Sequence, residues 1–203
     1  MWRTGLWRIF CFERKEEMGM EHMIEIDELQ LFPADMSLAE DVAAYYRRNR
    51  EFLKEFESEH EEAFYTTDGQ KMCLIGEEIA MKRGDIYRFY IRHKDMPGKI
   101  IGVIGLSQII MGPFCSAFLG YKLDACCMNR GYMTALISLI VSHGFEKLHL
   151  HRIEANVMPW NKRSLRVLEK NGFEREGLAK KYLKINGVWE DHIHMVKINE
   201  ALD

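Results

Sequence analysis

Tyr121-Lys-Leu-Asp-Ala-Cys-Cys-Met-Asn-Arg-Gly-Tyr-Met-Thr134 is the stretch around which the rest of the chain arranges itself. A strand delivers the chain to a short polar loop holding one glycine, and an apolar helix starts at once. Residues 131–148 carry Met133, Leu136, Ile137, Ile140, Val141 and Phe145 at helical spacing, the pattern of a buried helix. Successive backbone N–H groups at such a helix start form an anion site, and Arg130 adds charge. Many strand-loop-helix corners look alike, so this stretch does not by itself identify a ligand.

Upstream the period is that of strands. Residues 86–91, 99–111 and 117–124 read as an antiparallel meander, turned by Met96-Pro-Gly98 and by Gly112-Pro113. Before it, Asp35 or Ser37 caps a helix with Leu38, Val42, Tyr45, Tyr46, Phe52, Leu53 and Phe56 on one side. Asp68-Gly69 opens a second helix that runs to Gly84, and Ile24, Ile26, Leu29, Leu31 and Phe32 form one first strand from Met23. Downstream, residues 153–158 are a short strand. Trp160-Asn161 leads into a helix that stops at Asn171-Gly172. Two last strands, 173–185 and 188–198, flank Asn186-Gly187, a strong hairpin signal. The order β-α-α-β-β-β-α-β-α-β-β makes one α+β domain over residues 23–203, with residues 1–22 an extension outside it.

Three segments together resemble a known family. Gly131-Tyr-Met-Thr134, His151-Arg-Ile-Glu-Ala155, Met158-Pro, Asn161, Ser164, Val167-Leu-Glu-Lys, Gly172-Phe173, Glu176-Gly177 and Asn186-Gly-Val-Trp-Glu-Asp-His192 are similar to the GNAT acetyltransferases, in the branch that resembles RimJ/RimL ribosomal-protein N-terminal acetyltransferases. The resemblance implies the GNAT fold: a mixed, largely antiparallel sheet of about seven strands, helices on both faces and a splayed parallel strand pair, here near 118–124 and 153–158. It implies acetyl-CoA as co-substrate and no metal. Met128, Asn129, Arg130, Gly131, Tyr132, Met133 and Thr134 would hold the pyrophosphate. Asn161 matches a position that contacts the pantetheine arm, and Leu123, Asn156 and Ser164 complete the expected cofactor contacts. Leu123 would offer a backbone N–H to the thioester oxygen. Ser164 is the expected proton donor and Glu154 the candidate base. The chain also departs from the family pattern. Met128 replaces a Gln or Arg, Asn129 a frequent Gly, and Leu168 a tyrosine acid found in many relatives.

Composition narrows the alternatives. Twenty-eight Lys and Arg against 31 Asp and Glu give a net charge of −3, which argues against a chain built to hold nucleic acid. Residues 128–184 nonetheless hold eleven Lys or Arg and five Glu or Asp, a balance suited to a phosphate-bearing ligand. Five irregularly spaced cysteines without a CxxC pair fit reduced thiols and a cytoplasmic setting, and no apolar run is long enough for a membrane span. His149 and His151, and His192 and His194, share strand faces without further metal-ligand spacing. Residues 55–62 hold five acids and no Lys or Arg, either a solvated helix end or a rim for a cationic acceptor. The resemblance implies an amine acceptor, a protein N-terminus such as that of a ribosomal protein or else a small amine. A GNAT-fold protein that binds acyl-CoA without chemistry is the alternative of another class. Monomer and homodimer are both compatible with the sequence.

Overall fold

The computed structural model describes residues 23–202; the expectation for residues 1–22 lies outside them. Among the described residues are eight strands in one sheet, ordered β1-β2-β3-β4-β5-β6-β8-β7. The extra strand comes from the start of the chain. The single expected strand is a hairpin, β1 (Ile24–Ile26) and β2 (Leu29–Pro33), with Ile26 opposite Leu29. Asp27 turns the chain at φ 49°. Asp tolerates the left-handed region, but Asp-Glu lacks the glycine that marks such turns in a sequence.

Helix α1 (Ala39–Leu53) follows a 3-10 turn capped by Asp35, whose side chain accepts from the Ser37 N–H at 2.8 Å. It ends before Phe56, shorter than expected. Helix α2 (Thr67–Arg83) is capped by Thr66 rather than at Asp68-Gly69, and Gly84 closes it in the left-handed region. The meander is β3 (Tyr87–His93), β4 (Ile100–Ile110) and β5 (Ser116–Leu123). Gly105 sits where a Cβ would lie 2.3 Å from the Tyr87 carbonyl oxygen, so β3 and β4 approach as closely as they do only with glycine there. Then come α3 (Tyr132–Glu146), β6 (Arg152–Val157), α4 (Lys162–Lys170), β7 (Glu174–Ile185) and β8 (Val188–Ile198). Asn186 and Gly187, at φ 47° and 86°, make the expected hairpin turn between the last two.

The sheet carries a core on each face. On one, α3 and α4 bury Leu136, Ile137, Ile140, Leu165 and Leu168 against Ile104, Leu106, Ile153 and Ala155. On the other, α1 and α2 bury Val42, Tyr45, Leu53 and Leu74 against Tyr90, Ile100 and Val103. Among the described residues no helix is long and apolar enough to cross a membrane.

One seam is irregular. β5 and β6 run parallel and pair only from Ser116↔Arg152 to Phe118↔Glu154. Beyond that they diverge, while β4 stays on β5 to Leu123 and β8 stays on β6 to Val157. The sheet is therefore split in its middle, as the resemblance implies.

Candidate active site

The split opens into a cleft of about 620 Å3. Its floor is backbone. The Asp124 N–H donates to the Ile101 carbonyl on β4 at 2.7 Å. Strand amides alternate in direction, so the Leu123 N–H points the other way, into the gap that β6 has left. An extended chain laid in the cleft would meet β5 as a strand meets an edge.

Where the chain leaves β5, the α3 N-terminus supplies amides to the cleft. Gly131 is its N-cap at φ 83°, and no side chain caps the helix. The first-turn N–H groups are thus open to an anion. Met128, Asn129, Arg130, Gly131, Tyr132, Met133 and Thr134 all line the cleft, as do Leu123, Asn161 and Ser164. The departures from the family pattern have local accommodations. Asn129 adopts φ 62°, a left-handed conformation that asparagine tolerates better than most residues. The Arg163 guanidinium reaches from α4 to within 3.4 Å of the Met128 sulfur, bringing a cation to a position where the family has a polar side chain. Lys122, Arg130, Lys162, Arg163, Arg166 and Lys170 also line the cleft, against Glu55 alone among the acids. A ligand bearing several phosphates fits this charge.

Ser164 lines the cleft from α4. Asn161 caps α4, its side-chain oxygen accepting the Ser164 N–H at 3.2 Å. That places the Ser164 hydroxyl 2.7 Å from the hydroxyl of Tyr121 on β5. Tyr121 is a site residue that the sequence reading missed. Leu168, in the position of the usual tyrosine acid, is buried in the core, and the phenol hydrogen-bonded to Ser164 is that of Tyr121 on β5. Burial pushes the Tyr121 phenol up to about 12, and the hydrogen bond with Ser164 works the other way. The alternation at Leu119, Tyr121 and Leu123 is the signal that could have placed it on the Leu123 side of β5.

Two expected site residues do not reach the cleft. β6 alternates, so Ile153, Ala155 and Val157 face the α3 core while Glu154 and Asn156 face the opposite side. Glu154 is held by Arg152 at 2.8 Å, and the same guanidinium reaches Glu176 at 2.5 Å. Glu154, Glu176 and His194 bring ligand-type atoms within 4.8 Å of one another, with Arg152 as the cation beside the two carboxylates. Asn156 lies near Tyr182, its amide 3.4 Å from the phenol oxygen.

The walls also tie the halves of the molecule together. The Asp124 carboxylate, buried, accepts from Arg48 of α1 at 2.7 Å and from the Cys126 N–H at 3.1 Å. Burial raises the Asp124 carboxyl, but these bonds outweigh it and hold the group below the usual carboxylate range. Lys122 pairs with Glu57, and its ammonium lies 5.1 Å from the Tyr46 ring centroid. Glu59 and Glu62 both pair with Arg50. Three of the five acids in residues 55–62 are therefore matched by cations of the chain itself. Residues just beyond α1 bridge to the β7–β8 turn. The Ser58 hydroxyl donates to the Lys184 carbonyl at 3.0 Å, the Glu59 N–H to Asn186 Oδ1 at 2.7 Å, and the Asn186 amide to the Lys54 carbonyl at 2.6 Å. Phe56 packs on Trp160 across the cleft mouth, ring centroids 5.4 Å apart.

Comparison with known proteins matches residues 29–174 to the Acetyltransferase (GNAT) domain family. Probable N-acetyltransferase YjcK of Bacillus subtilis is 40% identical over 167 residues, 82% of this chain and 92% of that protein. The crystal structure of ribosomal-protein-S5-alanine acetyltransferase from Vibrio fischeri is similar with TM-score 0.85 and 36% identity, covering 90% of this chain and 99% of that one. Mycobacterium smegmatis RimJ in complex with CoA-disulfide is similar with TM-score 0.79 and 27% identity, covering 86% and 83%.

Proposed function

The chain belongs to the GNAT acetyltransferase family, and from that premise we propose that it acetylates the α-amine of a protein N-terminus, that of a ribosomal protein beginning with alanine. Acetyl transfer from acetyl-CoA is the family's chemistry; the acceptor is our reading. It is supported by the 36% identity, over 90% of the chain, to an S5-alanine acetyltransferase.

The site fits acetyl-CoA by its own features: the uncapped α3 start, the ring of six cations and the outward-turned amides of β5. The bound thioester supplies an electrophilic carbonyl. Leu123 donates its N–H toward that carbonyl's oxygen, where negative charge grows during attack. Ser164 gives a proton to the departing sulfur, and Tyr121, 2.7 Å away, orients the Ser164 hydroxyl and shares its proton. Glu154 stands on the other face of the sheet as a carboxylate that can take the amine's proton, directly or through water. The observation that carries this reading is the Tyr121–Ser164 pair at the end of a cationic cleft that opens through the sheet. A cytoplasmic setting follows from a ribosomal acceptor.

The test is direct. Protein, acetyl-CoA and an alanine-led peptide are incubated, and the peptide is weighed by mass spectrometry. One acetyl group on the N-terminus, absent from a peptide whose N-terminus is blocked, is the expected result. Thermal stabilisation by acetyl-CoA with no modified peptide overturns the acceptor. Acetylation of free small amines but not of the peptide would favour the small-amine alternative.

A further inference from the structure

The face of β6 opposite the cleft holds buried polar atoms without a hydrogen-bond partner among the described residues. Asn156 is the first residue facing that side after the last β5–β6 pair, so it stands at the split itself. Its side-chain oxygen is buried with no hydrogen-bond partner among the described residues, while its amide nitrogen turns to the Tyr182 hydroxyl at 3.4 Å. Directly across the ladder is His194, whose Nε2 is also buried and unpartnered. Tyr182 covers the His194 ring edge-on, centroids 4.9 Å apart, and the His192 ring lies 5.7 Å from that of Tyr182. Buried polar atoms are nearly always satisfied, so two unsatisfied neighbours at a split sheet point to a ligand that completes them.

The chemistry of that ligand follows. With the amide turned as it is, Asn156 presents a lone pair, and in the Nδ1–H tautomer so does His194 Nε2. Both want a donor. A primary amine, and more so its ammonium form, is rich in donors. The helices on this face lie over β3 and β4, and the bridge from residues 54–59 to Asn186 fences the far side.

We propose that Asn156 and His194 form the seat that receives and orients the acceptor's primary amine, on the face of the sheet opposite the acetyl-CoA cleft. The inference rests on the acyl-transfer reading above and specifies which residues hold the acceptor. It gives Asn156 a place on the acceptor side, where sequence resemblance implied a contact with the cofactor.

The experiment compares the full-length wild type with Asn156→Leu, which keeps shape and removes the acceptor atom, with His194→Phe, and with His194→Gln, whose amide oxygen can accept in place of Nε2. Rates of thiol release are measured against an alanine-led peptide and against acetyl-CoA, with acetyl-CoA affinity from calorimetry. Asn156→Leu and His194→Phe should raise the KM for the peptide roughly tenfold or more, the size of a lost hydrogen bond to a charged group. Acetyl-CoA affinity should stay within twofold, and His194→Gln should recover most of the loss. An unchanged peptide KM in both apolar variants overturns the seat and leaves the transferase reading intact. Should the wild type modify no peptide, the N-terminal acceptor falls instead. The seat is then judged by titrating L-alaninamide into CoA-saturated wild type and following the 15N shifts of the His194 ring. A saturable shift supports the seat for another amine, and an unmoved ring overturns it. The same titration decides the matter if a variant does not fold.

Discussion

Ser164 and Tyr121 stand 43 positions apart in the chain yet meet at 2.7 Å. The serine was legible, because Asn161 three residues before it marks a helix start and the resemblance names it. The tyrosine was not, because only the register of β5 against α4 brings it there. Replacing Ser164 with Ala should lower kcat on the order of 100-fold, the scale of a lost general acid, with acetyl-CoA affinity unchanged by calorimetry. Tyr121→Phe should lower kcat by less, roughly tenfold, since Ser164 remains. Tyr121 also has an alkaline signature. Its folded value, about 12, exceeds the unfolded value, about 10. The neutral phenol therefore stabilises the fold fully below pH 10, and that contribution is lost as pH rises from 10 to 12. In Tyr121→Phe the fall of stability over that interval should be shallower, read from urea unfolding at a series of pH values.

At the scale of elements, the link from β5 to α3 carries the cofactor loop, and Asp124 governs it. Its carboxylate caps the turn at Cys126 and holds Arg48 of α1, so one group fixes both the loop and the helix across from it. Asp124→Ala leaves an unpaired, partly buried guanidinium and should cost about 3 kcal/mol, measured by denaturant unfolding. The sign with pH is set by its lowered carboxyl. Because the folded value lies below the unfolded value of about 3.9, the stabilisation is complete above that value and is lost as pH falls through the folded one. Asp124→Ala should accordingly lose less stability on acidification than the wild type. Sequence patterns located nearly every element here, since periodicity, caps and the Asn186-Gly187 turn are local. They missed the β1–β2 hairpin, whose turn lacks a glycine, and they overextended α1 to Phe56. That residue is spaced as a helical one, but it serves the cleft by packing on Trp160.

For the whole molecule, net charge and local charge oppose each other. The chain is at −3 overall, but the cleft is ringed by six cations and one acid. Acetyl-CoA at a hundred times its dissociation constant should add about 2.7 kcal/mol to the folded state, a rise of roughly 5–10 °C in Tm for a chain of this length. The rise should shrink as salt is added, because exposed cations are screened. The family and the cofactor cleft were readable from the sequence because they reside in contiguous motifs. The proposed acceptor seat was not, because Asn156, Tyr182 and His194 come from three strands and only their pairing assembles them.

The split between β5 and β6 has a kinetic meaning. With the acceptor seated as proposed, donor and acceptor approach the split from opposite faces, so the two can be present together and neither must leave before the other arrives. Among the described residues no cysteine lines the cleft to carry the acyl group in the interval. Initial rates taken over a grid of both concentrations should therefore give intersecting double-reciprocal lines, the sequential pattern, and no burst of free CoA should appear when the acceptor is left out.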